Sequence, residues 1–148
     1  MEELVALGLT KSIGVSNFNA EQLDRLLKEA KISPVVNQIE VSPYLSNVQL
    51  VDFCASQGLD VTGFSSFGSS SKGTPRSDQP QNILDDETLQ GIAENYSKSV
   101  AQVILRWVIQ RNITAIPKSV TKKRIEENID IFDFTLTLED MEKINGLN

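Results

Sequence analysis

Short apolar runs alternate along the chain with segments in which apolar residues recur every three to four positions. The short runs, such as "PVVNQIEV" and "DVTGFSSFG", predict β-strands. The segments with the longer period, such as "AEQLDRLLKEA" and "SVAQVILRWVIQR", predict amphipathic helices. Strands and helices that alternate in this way indicate an α/β fold with a parallel sheet.

Each of the four predicted strands ends in polar residues, at positions 16 and 17, 38 and 40, 65 and 66, and 118 and 119. In a (β/α)8 barrel the carboxyl ends of the strands share one face, and that face holds the active site. The pattern therefore favours part of a barrel over an open doubly wound sheet. The alternative is that polar residues simply end the strands and have no common function.

Composition limits the classes of function. The 148 residues carry a net charge of −6, so neither a nucleic acid nor an anionic membrane surface is an expected partner. No apolar run approaches the roughly 18 residues of a membrane span. The single cysteine, Cys54, excludes a disulfide framework and fits a reducing, cytoplasmic compartment. The chain has no histidine, which removes the commonest metal ligand, and we predict no metal site.

Three cations crowd the first turn of the helix predicted in "TKKRIEENIDI": Lys122, Lys123 and Arg124. The amino end of a helix carries the positive end of its dipole, so cations there are unfavourable. The backbone amides from Thr121 onward are expected to be free donors, and Lys118 and Ser119 come just before them. A bound phosphate would satisfy these groups. The alternative is a solvated basic patch in which Arg124 pairs with Glu127.

The same cluster suits a phosphorylated nucleoside. Arg124 and Asn128 are four residues apart and share one face of the predicted helix. The phosphate would bind Lys118, Ser119 and the amides, and the base would lie near Arg124 and Asn128. No glycine-rich dinucleotide-binding motif follows any predicted strand.

Four motifs in the chain resemble the aldo-keto reductases and follow one another in that family's order. They are "GLTKSIGVSNFN", "VNQIEVSPYL", "DVTGFSSFGS" and "IPKSVTKKRIEENIDIFDF". The resemblance covers nearly all of residues 1–148, and it implies a partial reductase domain made of strands five to eight, the second half of a (β/α)8 TIM barrel. It also implies that NADPH binds in extended form at the carboxyl face and that hydride is transferred to an aldehyde or ketone.

The resemblance assigns the cofactor-binding positions residue by residue. The positions that match the nicotinamide site are Ser16, Asn17, Gln38 and, for a stacking aromatic ring, Phe64. The positions that match the pyrophosphate loop are Ser65, Phe67 and Ser69. The positions that match the binding site of the adenosine 2′-phosphate are Lys118, Ser119 and Arg124. The positions that match the adenine contacts are Glu127 and Asn128. The phosphate expected at the basic cluster would then be the 2′-phosphate of the cofactor.

The chain also departs from the family pattern. Ser71 stands where the family usually has an Asp that helps to clamp the cofactor, and Ser42 stands where many members have His. The family's catalytic tetrad of Asp, Tyr, Lys and His comes from the first half of the barrel. Neither Tyr44 nor Tyr96 matches the catalytic Tyr, so we predict no catalytic residue and no activity of this chain alone.

Two other classes of function stay open, a non-catalytic NADPH-binding or structural relative and a phosphate-binding barrel half with unrelated chemistry. A half-barrel is expected to have unpaired edge strands and an exposed apolar interior, which predicts self-association through the open edges. The segment 68–82 is expected to form a lid over the pyrophosphate. Cys54 and Trp107 are expected in the core, and Asp85, Asp86 and Glu87 at the start of a helix.

Overall fold

The computed structural model describes residues 1–68, 80 and 82–148, and these residues form four strands and seven α-helices. The strands are β1 (Val15–Ser16), β2 (Val36–Glu40), β3 (Asp60–Phe64) and β4 (Thr114–Ala115). The helices are α1 (Glu2–Ala6), α2 (Ala20–Glu29), α3 (Val48–Ser56), α4 (Glu87–Tyr96), α5 (Val100–Gln110), α6 (Lys122–Ile129) and α7 (Leu138–Asn145), with a 3-10 turn at Ile83–Asp85. Within these residues, no helix has the length and apolar character of a membrane span.

The four strands form one parallel sheet in the order β1-β2-β3-β4. This confirms the α/β fold predicted from the alternating pattern. The last strand is shorter than "ITAIPKS" suggests, because only Thr114 and Ala115 pair with β3. Pro117 follows two residues later and has no amide hydrogen with which to continue the ladder.

One face of the sheet packs against the helices and forms the core. Ile39 on β2 and Val61 on β3 are buried there, together with the fully buried Trp107 of α5. The indole nitrogen of Trp107 donates to Asn145 Oδ1 on α7 over 2.9 Å. Cys54 is also buried, and its burial raises the pKa of the thiol. Both residues are core residues, as predicted.

The opposite face of the sheet is mostly polar, which corrects the expectation of an exposed apolar interior. Side chains alternate between the two faces of a strand, so every second residue faces away from the helices. One aligned row on this face consists of Ser16, Gln38, Thr62 and Thr114. Glu40 and Asp60 occupy the same face. Exposed apolar side chains are found elsewhere instead. One group surrounds β4 and α6 and consists of Ile116, Val120, Ile125, Ile129 and Phe132. Another lies in and beside α1 and consists of Met1, Leu4, Leu7 and Leu9.

Most helices begin at a capping side chain. Asn19, Ser99 and Thr137 each form a reciprocal capping box, at the start of α2, α5 and α7. Asp86 caps α4 and also accepts a hydrogen bond of 2.8 Å from the Tyr44 hydroxyl, which confirms the predicted capping role of this acidic segment. Helix α6, like α1 and α3, begins at an N-cap residue that makes no side-chain capping bond.

Candidate functional site

The turn after β1 is held by three hydrogen bonds from β2. Gln38 O accepts from the backbone amide of Asn17 and from the hydroxyl of Ser16, each over 2.9 Å. Asn37 Nδ2 donates to Phe18 O over 2.9 Å. Asn17 has a φ of 59°, a left-handed conformation that is uncommon outside glycine. The backbone of this turn is therefore tightly constrained.

The side chains of Asn17 and Gln38 are exposed, and neither carboxamide has a hydrogen-bond partner among the residues that the structure describes. A primary amide has two donor hydrogens and one acceptor oxygen. Two such groups on a constrained backbone can therefore pair with a ligand that carries its own carboxamide. In the same turn, the Ser16 hydroxyl already donates to Gln38 O, so it can offer a ligand only its oxygen lone pairs.

The end of β3 lies beside this turn. A cavity of about 280 Å³ is lined by both Asn17 and Phe64, so the structure brings these two predicted residues together. Phe64 is half-buried, and the next residue, Ser65, has a φ of 52°. Ser65 O accepts a 2.8 Å bond from the amide of Gly68, which closes a tight turn. Ser69, Ser71 and most of the predicted lid at 68–82 lie outside the described residues.

The start of α6 lines a second cavity, of about 390 Å³. This cavity gathers all of the residues predicted for the phosphate and the adenine, together with one residue predicted for the pyrophosphate loop. They are Lys118, Ser119, Arg124, Glu127, Asn128 and Phe67. The sequence prediction grouped these side chains from three segments that are up to 61 positions apart in the chain.

The cations at α6 fall into two groups. Lys122 and Lys123 lie near the carboxylates of Glu126 and Glu127, at 3.8 and 3.6 Å, one helical turn further on. Lys118 and Arg124 line the cavity and have no ion pair within the described part of the chain. The pair between Arg124 and Glu127 is absent from the described residues, where Glu127 pairs with Lys123 instead, and the alternative of a solvated basic patch stays open.

The amide donors at the start of α6 are mostly available, with one correction. The amide of Thr121 donates to Ser119 Oγ over 3.2 Å, so it is not free as expected. Thr121 itself makes no side-chain capping bond to the first turn. An uncapped helix start beside two unneutralised cations can bind a phosphate group. In the described residues, no group of acidic, cysteine or histidine side chains could hold a metal ion.

Sequence reasoning missed two features of the site. An apolar cavity of about 460 Å³ adjoins the α6 cavity and shares Lys118, Ser119 and Asn128 with it. Ile125 and Ile129 line this cavity. Their spacing of four residues places both on one face of α6, and this spacing could have indicated the cavity from the sequence. The second missed feature is the bond from Asn37 to the turn after β1, which depends on which face of β2 meets the helices.

A model of the aldo/keto reductase family matches residues 1–148. The chain belongs to this family. Aldo-keto reductase family 1 member A1-A of Danio rerio is 50% identical over the whole chain, which covers 45% of that protein. Aldose reductase B of Dictyostelium discoideum is 49% identical, with the same shares covered. The chain thus spans less than half the length of these family members.

Solved structures of aldo-keto reductases have the same fold over this length. An aldo-keto reductase of Bombyx mori in complex with NADP superposes with a TM-score of 0.90 and 47% identity, over 100% of this chain and 48% of that one. A second aldo-keto reductase, complexed with NADPH, gives a TM-score of 0.89 and 43% identity, over 99% of this chain and 45% of that one. The family predicted from the four motifs is confirmed.

Proposed function

We propose that this chain is the cofactor-binding half of an NADPH-dependent aldo-keto reductase. In this proposal, residues 1–148 form one partial domain that contributes strands five to eight of a (β/α)8 barrel. The observation that carries the proposal is the cavity at α6, where Lys118 and Arg124 have no ion pair among the described residues and lie beside a helix start that lacks a side-chain cap. The similarity to reductase structures that hold NADP and NADPH gives independent support.

The proposed cofactor lies extended along the carboxyl ends of the strands. Ser16, Asn17 and Gln38 would hold the nicotinamide carboxamide, and the ring of Phe64 would stack on the nicotinamide. Farther along, the pyrophosphate would meet residues 65, 67 and 69. The 2′-phosphate would bind the group formed by Lys118, Ser119 and Arg124, and the adenine would lie by Glu127 and Asn128. A dinucleotide that carries a 2′-phosphate in addition to its pyrophosphate fits the two cations of this cavity, because an anion offsets the unfavourable placement of cations near a helix start.

The bound cofactor would supply the hydride, and the residues of this chain would orient it. Transfer to an aldehyde or ketone also requires an acid that protonates the nascent alkoxide. Such an acid raises the reaction rate by about 10² to 10⁴-fold. Neither tyrosine is placed for that task. The hydroxyl of Tyr44 donates to Asp86, and the hydroxyl of Tyr96 donates to Asp140 over 2.6 Å. We therefore propose that this chain holds no catalytic residue and is inactive alone.

Two further parts of the proposal concern assembly and location. In the described residues, β1 pairs only with β2 and β4 only with β3, so both edges of the sheet are open. We propose that the chain self-associates through these edges, which sedimentation of the purified protein would detect as dimers or larger species.

We also propose a cytoplasmic location, since its one cysteine is a buried free thiol.

The same tyrosine contacts favour a second candidate, a non-catalytic relative that binds NADPH without turning over a carbonyl. The test is an NADPH-oxidation assay with 4-nitrobenzaldehyde. It compares the 148-residue chain alone with the same chain joined to a first half-barrel from a related reductase. Turnover by the joined protein only is the expected result. NADPH binding without turnover in both proteins would favour the non-catalytic relative, and steady turnover by the chain alone would contradict both.

A further inference from the structure

Asn37 is a polar residue in an apolar environment. It is fully buried on the face of β2 that meets the helices, and its register partner on β3 is the buried Val61. Its Oδ1 atom is buried without a hydrogen-bond partner in the described residues, which is unfavourable. A leucine of similar size would avoid that cost. Packing alone therefore does not explain an amide at this position.

The Asn37 amide contributes one strong contact. Its Nδ2 donates to Phe18 O over 2.9 Å, and it also lies 3.9 Å from Cys54 Sγ, which is only a weak acceptor. Phe18 follows Asn17, the residue with a φ of 59°. The bond therefore holds the peptide unit directly after the left-handed residue.

Two adjacent residues of β2, Asn37 and Gln38, both form hydrogen bonds to the turn after β1. The backbone carbonyl of Gln38 accepts from Asn17 N, and the side chain of Asn37 donates to Phe18 O. Because adjacent side chains on a strand point to opposite faces, the Gln38 carboxamide remains on the exposed face. One strand thus supplies both a ligand-facing amide and the amide that fixes the neighbouring turn.

We propose that Asn37 is a positioning residue that holds Asn17 in its left-handed conformation and so keeps its carboxamide at the nicotinamide end of the site. The inference rests on the proposed function for its ligand, since Asn17 and Gln38 are there the groups that hold the nicotinamide. Its structural half, that the Asn37 amide fixes the turn, stands apart from any cofactor.

The test uses the full 148-residue chain with Asn37→Leu, which removes the donor at similar volume. Asn37→Ala is a second variant that cannot overpack the core, in case the leucine variant does not fold. Val61→Ala is the matched control, because it disturbs the same buried layer at the register partner of Asn37 without touching the turn. The measurements are the backbone NMR shifts of Asn17 and Phe18 and the Kd values of NADPH and adenosine 2′,5′-bisphosphate.

We expect the Asn37 variants to shift the signals of Asn17 and Phe18 and to weaken NADPH binding about threefold to tenfold, the worth of a typical hydrogen bond. Binding of the bisphosphate, which lacks a nicotinamide, should stay within about twofold. The control should leave the turn signals and the ratio of the two Kd values unchanged. Unchanged turn signals in the Asn37 variants, or equal losses for both ligands, would overturn the inference. A wild-type chain that does not bind NADPH would refute the proposed function, and the NMR shifts would still decide the role of Asn37 in the turn.

Discussion

At the β1 end of the proposed site, hydrogen bonds from Asn37 and Gln38 fix the backbone on both sides of Asn17. At the α6 end, Lys118 and Arg124 have no ion pair in the part of the chain that the structure describes, and the helix start lacks a side-chain cap. The first end is ordered by the protein itself, and the second leaves its strongest groups without partners.

The difference matches the ligand groups proposed for each end. A neutral carboxamide forms ordinary hydrogen bonds whose net worth is small, so the protein gains most by fixing the geometry in advance. A phosphate forms charge-assisted bonds that are about twice as strong, and it can order flexible cationic side chains when it binds. In this proposal a fixed backbone favours binding of the carboxamide, whose hydrogen bonds are weak, and unpaired cations favour binding of the phosphate, whose bonds are strong.

The largest expected effect comes from removing the two cations that line the α6 cavity. In a full barrel that carries this half, Lys118→Met with Arg124→Met should weaken NADPH binding about a hundredfold or more and erase most of the preference over NADH, since each of the two charge-assisted bonds is worth roughly 1.5–3 kcal/mol, or about tenfold to a hundredfold. Fluorescence titration of both nucleotides measures the effect. The matched control is Lys122→Met with Lys123→Met, because those charges already lie near Glu126 and Glu127. Equal affinity for NADPH and NADH before mutation would break the comparison.

Substitutions of Asn17 are expected to have a smaller effect on binding. They separate the contribution of the left-handed backbone from that of the carboxamide. Asn17→Gly keeps the left-handed backbone but removes the carboxamide, so NADPH affinity should fall about threefold to tenfold with little change in stability. Asn17→Val should in addition lower the free energy of unfolding by about 1–2 kcal/mol, because a β-branched residue is strained at positive φ. Urea unfolding and NADPH titration on both variants measure the two effects. Full NADPH affinity in the glycine variant would show that this end does not use the side chain.

The smallest expected effect compares the two helix starts. Asn19→Ala removes the cap of α2 and should lower the free energy of unfolding by about 1 kcal/mol. Thr121→Ala should change it by less than about 0.5 kcal/mol, because Thr121 makes no capping bond to lose. Urea unfolding of the two single variants is the measurement. A loss at Thr121 as large as that at Asn19 would mean that α6 is capped in solution.

The periodic parts of the structure were predictable from the sequence. The strands and helices follow from apolar spacing, and the acidic segment that includes Asp86 was correctly placed at the start of a helix. The apolar interior was predicted from barrels in general and is wrong here. The alternating polar residues Gln38 and Glu40 of β2 already carried the correct signal, but periodicity alone does not say which face the helices cover.

Contacts that depend on the three-dimensional arrangement were less predictable. Glu127 lies within reach of both Lys123 and Arg124 along one helix, and the sequence does not decide between them. The bond from Asn37 to Phe18 O joins segments 19 residues apart and needs the register of β1 on β2. The pairing of Ser119 with the Thr121 amide is a local turn, but the helix pattern that begins beside it concealed it.

The polar face of the sheet has a consequence for the heat capacity of any association. Burial of apolar surface gives a negative ΔCp, whereas burial of polar surface gives a smaller one of the opposite sign. A partner that covers Ser16, Gln38 and Thr114 would thus bind with little change in heat capacity. A partner that covers Val120 and Ile129 near α6 would bind with a clearly negative ΔCp, since these side chains are 83% and 69% exposed. The temperature dependence of the association enthalpy therefore reports which surface of the chain is covered.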